Sequence, residues 1–310
     1  MNSQQILGQL LALFTATCWA GNSVTYRYLG SFIKSDSLAH ARMWIAFPVI
    51  LLLTVLIDGS LPLHASARTY AALLSSGVIG YFITDLLLFK AYIYLGARES
   101  LVIMTLSPVV SAVLSYFCFA QALSLTEIFG IALTIGGIVC MVLGEMKVHG
   151  RVDTAQGGAD GKNPNSKIRI GLICAFLSAI LQSVSYILAK YALDDVPAVS
   201  SNLIRNFGGL LAFILYSTFF SRRFFNDIKV LRNGKLLGLL VFAAISGPVL
   251  GMSSQMLALT LAPVGIVTAI SQISPVLLLP IDKFVFRRRL SAASVTGTLI
   301  SIAGVVMLFV

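Results

Sequence analysis

Asp85 stands in the run VIGYFITDLLLFK, as the one acid well inside an apolar stretch. A charge in such a setting is costly in hydrocarbon and marks a functional candidate by default. Three roles are open to it: a structural ion pair with Arg42 or Lys90, recognition of a substrate amine, or a proton relay. Arg42 and Arg205 each lie about one turn inside an apolar run, and a planar guanidinium suits a carboxylate held by two bonds. They are candidates for a substrate carboxylate or for gate acids. Arg27 and Lys190 sit at the ends of apolar runs and read as snorkelling side chains. Asn22, Gln182, Asn202, Gln255 and Gln272 are polar residues inside apolar runs. Hydrogen bonds between helices account for most such residues, and a subset is expected to line a cavity. Trp19, Tyr81 and Tyr186 are candidates for its apolar walls. These eleven residues form the candidate binding set.

Other chemistry finds no footing. The sequence has no HExxH, no G-x-S-x-G and no P-loop. Its three histidines are scattered, and its four cysteines lie in apolar runs without a CxxC. No catalytic residue, cofactor or metal is expected.

These residues must be held by membrane helices. Of 310 residues, 57% are hydrophobic and 11% charged, against about 25% charged in soluble domains. Apolar runs repeatedly reach the length of about 20 residues that crosses a bilayer, and the strict alternation of a barrel is absent. The fold class read here is an all-α polytopic membrane protein of ten transmembrane helices, at 6–29, 37–57, 70–94, 100–120, 125–144, 168–193, 200–220, 236–261, 264–286 and 291–310.

The ten spans are two copies of five. A constant offset of 167 aligns 100–143 with 267–310 without a gap, giving 12 identities in 44 positions. Ser107-Pro108-Val109 falls on Ser274-Pro275-Val276, Gly130 on Gly297 and Gly137 on Gly304. Upstream, an offset of 163 places Gly8 on Gly171, Ala12 on Ala175 and Arg42 on Arg205. The units are a first repeat at 1–145, a polar linker at 146–167 and a second repeat at 168–310. Five is odd, so the second repeat enters the membrane from the opposite side. Inverted repeats are the plan of many secondary transporters, with the substrate near the midplane. Pro108 and Pro275 each remove a helix hydrogen bond and are candidate hinges. The glycine pairs 130/137 and 297/304 are expected to bring the fifth and tenth spans close to each other or to another subunit.

Lys and Arg divide 19 to 3 between the two sets of loops, which predicts extracytoplasmic termini by the positive-inside rule. The net charge of +10 then faces the anionic inner leaflet rather than a nucleic acid. The expected partners are a small-molecule substrate and the lipid bilayer, with the chain a monomer or homodimer in the cytoplasmic (inner) membrane.

A Trp-small-Gly in the first helix (ATCWAGNSVTYRYLG), an Arg early in the second (SLAHARMWIAFPVILLL) and a small-residue turn leading to a Ser-Pro helix (LLLFKAYIYLGARESLVIMTLSPVVSAVLSYF) recur together. In this the chain resembles the drug/metabolite transporter superfamily, in particular its ten-helix EamA-type exporters. The resemblance covers both halves. It implies export of amino acids or related small metabolites by alternating access, with drugs or other amphipathic compounds as alternative substrates. A channel, a structural subunit and a membrane-embedded enzyme are the alternatives from other classes. Two departures from repeat symmetry stand out: Gln182 where Trp19 has its mate, and Ser294 where Glu127 has its mate.

Overall fold

The computed structural model describes residues 3–119, 125–153, 164–190, 192, 195–232, 234–262, 267, 270–285 and 290–307. Among these residues the chain is helical, without strands. Helix α1 is Ser3–Leu29, α2 Ser35–Asp58 and α3 Ala67–Tyr94. Helix α4 comes in two pieces, Ala97–Met104 and Leu106–Phe119. Then follow α5 (Leu125–Asp153), α6 (Pro164–Lys190), α7 (Ala198–Phe220) and α8 (Leu236–Leu261). Helix α9 is Ser274–Pro280, continued by Ile281–Val285, and α10 is Ala292–Met307. A short helix, Phe224–Lys229, connects α7 to α8.

Local signals fix the ends. Ser66 accepts from the Thr69 amide and caps α3. Gly96, at φ +126°, makes the turn from α3 to α4, a backbone setting open to glycine. Helix α5 runs beyond its apolar span to Asp153, and α6 starts at Pro164, so both take in residues assigned above to the linker. Glu, Lys and Arg are good helix formers, and solvated ends can extend a helix in this way. Residues 154–163 and the side chains of Glu127 and Lys190 lie outside the described set.

The packing follows a pseudo-twofold rule. Helix α1 packs on α8, and α6 packs on α3. Helix α9 packs on α1, and α4 packs on α6. Helices α2 and α7 pack on each other, as do α5 and α10. An axis relating the halves requires this: some elements exchange partners, and those on the axis meet their own equivalents. Single contacts obey it too. Gly8 faces Ala262 and Gly171 faces Leu95, and these pairs are equivalent under the two offsets. Thr15 Oγ1 donates to the Gly251 carbonyl and Ser178 Oγ to the Thr84 carbonyl, each at 3.2 Å.

Those two carbonyls close matching irregularities. Helix α3 is π-helical over Val78–Thr84, and α8 over Ile245–Gly251. The 167 offset carries the first segment onto the second. A π-turn leaves backbone carbonyls without the usual partner, and such turns cluster at functional sites.

The glycine expectation resolves to one of its two options. A Cβ on Gly297 would meet the Met141 amide at 2.5 Å and the Gly137 carbonyl at 2.6 Å. One on Gly304 would meet the Gly130 carbonyl at 2.7 Å. The backbones of α5 and α10 therefore touch each other directly. Their outer faces carry exposed apolar side chains such as Leu125, Phe129 and Leu143, suited to lipid.

Candidate functional site

The two halves enclose a cavity of about 100 Å³. That is room for several waters or a small solute. Its wall draws on α1, α2, α3, α4, α6, α7, α8 and α9. Nine of the eleven candidates meet here. Trp19 and Asn22 come from α1, Arg42 from α2, and Tyr81 and Asp85 from α3. Gln182 and Tyr186 come from α6, Arg205 from α7, and Gln272 precedes α9. The π-helical segments supply part of the wall through Gly80, Tyr81, Gly247 and Pro248. Neither cavity-lining glycine has room for a side chain: a Cβ on Gly80 would strike Ser185, and one on Gly247 would strike Asn22.

Two candidates stand apart from this group. Asn202 does not line the cavity. It accepts from the Tyr81 hydroxyl at 2.5 Å and donates to the Pro248 carbonyl at 2.9 Å, bridging the π-segments of the two halves. Gln255 is also off the wall: its Oε1 accepts from Ser271 at 2.6 Å. In both, the amide is committed to neighbouring helices.

Each candidate hinge proline stands a few residues behind a break in its helix. Pro108 and Pro275 do not line the cavity, whereas Ser107 and Ser274 do. Helix α4 breaks at Thr105, and α9 is preceded by a break at Gln272–Ile273. The offset maps Thr105 onto Gln272. A proline has no amide to give the carbonyl four residues earlier, so the interruption appears upstream of the ring. Ser107 Oγ lies 2.9 Å from Ser183 Oγ on α6, and Ser274 Oγ donates to the Ala16 carbonyl on α1 at 3.0 Å.

The charges in the cavity are asymmetric. Of the two partners the sequence offers Asp85, the structure places Arg42 against it: Arg42 Nη2 donates to Asp85 Oδ2, and both residues are buried. The Arg42 guanidinium also lies over the rings of Phe89 and Tyr26, 4.8 and 5.5 Å from their centres. Its mate Arg205 is fully buried. Arg205 donates through Nε to Ser76 Oγ at 2.9 Å and through Nη2 to Ser185 Oγ at 3.2 Å, with Met256 Sδ 3.6 Å from Nη1. The rings of Tyr81 and Tyr186 flank it at 5.4 and 5.8 Å.

The model of the EamA-like transporter family matches residues 6–143 and 169–310. The chain belongs to the EamA-like transporter family. The two matched segments are the two halves of the fold, and transport across a membrane is the family's role. A crystal structure whose description names no function superposes on this EamA-like chain with a TM-score of 0.67. It is 15% identical and covers 98% of this chain and 96% of its own, a likeness of fold. No curated protein matches the sequence.

Two charged clusters of this EamA-like protein escaped the sequence reading. Arg98 is buried with Glu99 and Asp282: its Nη2 lies 3.2 Å from Glu99 Oε1, its Nε 3.4 Å from Asp282 Oδ2, and Nη2 donates to Ser294 Oγ at 2.7 Å. This ties the start of α4 in the first half to α9 and α10 in the second. Arg27 reaches the same Gly96 turn, so it packs against protein rather than only snorkelling. The second cluster joins α2 to the short connecting helix. His40 Nδ1 lies 3.2 Å from Asp227 Oδ2, Ser37 Oγ donates to Asp227 Oδ1 at 2.5 Å, and Trp44 Nε1 donates to His40 Nε2 at 3.0 Å. With Nε2 accepting, the proton sits on Nδ1. Asp282 was hidden because it precedes Lys283 near a span end, where charges read as topology signals.

Proposed function

We propose that this protein is a secondary transporter that exports amino acids or related small metabolites across the cytoplasmic membrane by alternating access. The observation that carries the reading is the cavity between two inverted repeats, walled by equivalent π-helical segments of α3 and α8 and equivalent broken helices α4 and α9. Discontinuous helices at the midplane are where transporters of this plan hold substrate. In the proposed cycle, the breaks at Thr105 and at Gln272–Ile273 let α4 and α9 bend alternately. One mouth closes as the other opens. The Arg98–Glu99–Asp282 cluster bridges the halves on the face expected to be cytoplasmic, and it separates when that mouth opens.

The test is counterflow in proteoliposomes. Vesicles loaded with an unlabelled mixture of amino and organic acids should take up the matching labelled compounds transiently above equilibrium. Flux that is linear in concentration and indifferent to the internal load identifies a pore instead. Cysteines flanking Thr105 and Gln272, in cysteine-free protein, should change their labelling in opposite directions at saturating substrate.

A further inference from the structure

The charge balance of the cavity narrows what it binds. Two guanidinium groups, Arg42 and Arg205, and one carboxylate, Asp85, line it. The Asp85 carboxylate is taken by Arg42. In the second half the residue equivalent to Asp85 is Met252, which also lines the cavity and brings no charge. Among the described residues Arg205 has no acidic partner. Its three hydrogen-bond contacts are two hydroxyls and a thioether. A guanidinium carries five N–H donors, so two remain beyond these contacts; Arg205 has no exposed surface in this conformation, and a ligand reaches them only as the helices part and the cavity of about 100 Å³ widens. A buried cation without a counter-charge is costly, and a bound anion removes that cost.

From this asymmetry we infer that the cavity takes a small organic monoanion, a carboxylate with an apolar or aromatic body, in preference to a zwitterion. The inference rests on the transport reading above and, among the substrates named there, favours related acids that lack an ammonium group over the amino acids themselves. The carboxylate sits against Arg205. The body lies along the rings of Tyr81 and Tyr186, which flank the guanidinium, and towards Trp19. An ammonium group would find no free carboxylate among the described residues of the wall and would sit in one cavity with two cations.

The experiment uses three probes with one ring and different charge: 3-phenylpropionate, phenylalanine and phenethylamine. Full-length protein in detergent micelles carries Trp44→Phe, which leaves Trp19 as the sole tryptophan reporter. The expected result is at least tenfold tighter binding of 3-phenylpropionate than of phenylalanine, with no response to phenethylamine. Arg205→Gln should weaken 3-phenylpropionate at least tenfold. Met252→Asp, which supplies the missing acid and keeps Arg205, should weaken it comparably and cut its advantage over phenylalanine to less than threefold. Thermal unfolding certifies each variant, and Met252→Asp decides the matter if Arg205→Gln does not fold. Equal or tighter binding of phenylalanine, no binding of any probe, or wild-type preference in Met252→Asp overturns the inference. Counterflow separates the two readings. Phenylalanine carried as well as 3-phenylpropionate leaves transport standing and this inference refuted. The expected binding order without counterflow of any probe does the reverse.

Discussion

Replacing Asp85 by Asn tests how the cavity tolerates a buried charge. Removing one partner of a buried ion pair costs about 3–5 kcal/mol, chiefly because the other charge is left uncompensated. Asn keeps an acceptor oxygen for Arg42, and a neutral hydrogen bond has roughly half the strength of a charge-assisted one. The stacking of Arg42 over Phe89 and Tyr26 is unchanged by the substitution and cancels in the comparison. The expected loss for Asp85→Asn is therefore about 2 kcal/mol, and for Asp85→Leu about 3–5 kcal/mol. The double variant Asp85→Leu with Arg42→Met removes both charges and should regain most of that, since an apolar replacement of a buried pair is often neutral or better. Equilibrium unfolding in mixed micelles, followed by the fluorescence of Trp19 and Trp44, measures wild type, Asp85→Asn, and the cycle of Asp85→Leu, Arg42→Met and their double variant. Wild-type stability in Asp85→Asn, or a double variant as unstable as the sum of the singles, would refute the argument.

Four further outcomes are expected. Gly137→Ala drives a methyl into the Ser301 amide and to 2.7 Å from the Gly297 carbonyl, so it should destabilise by about 1–3 kcal/mol. Gly136→Ala, with open space around it, should be neutral or slightly stabilising in the same thermal-unfolding assay. His40→Ala removes the ring stacked on Phe213 at 5.4 Å and the contact to Asp227; limited proteolysis should then cut the Phe224–Lys229 connection faster than in wild type, while an unchanged rate dismisses the anchor. A reporter active only in the cytoplasm should stay silent when fused after Val310, and activity there would reverse the proposed orientation.

Much of this architecture is legible in the amino-acid sequence, and for identifiable reasons. A gapless offset preserves glycine spacing, and glycine spacing sets which helix faces can approach closely, so the duplication marks the faces of α5 and α10 for close contact, with each other or with another subunit. A charge inside an apolar run demands a partner, so Asp85 points to Arg42 or Lys90, and the structure selects Arg42. The π-segments leave no trace, because one extra residue in a helical turn changes no periodicity in a uniformly apolar run. The Arg98–Glu99–Asp282 cluster joins residues far apart in sequence, and charges at span ends look alike whether they meet lipid headgroups or each other. Asn202 and Gln255 show a related limit. A polar group inside a span must be satisfied, but its sequence position does not say whether protein or ligand does so.

The glycine contact between α5 and α10 has a consequence for biosynthesis. Equivalent residues of these helices are 167 positions apart, and ribosomes add about 5–20 residues per second. The small-residue face of α5 therefore emerges roughly 8–30 s before its match exists. Throughout that interval the nascent chain presents a groove shaped for its own α10. This backbone-to-backbone contact thus waits for α10, and a chain stalled before α10 would expose that groove to the quality-control machinery of the membrane.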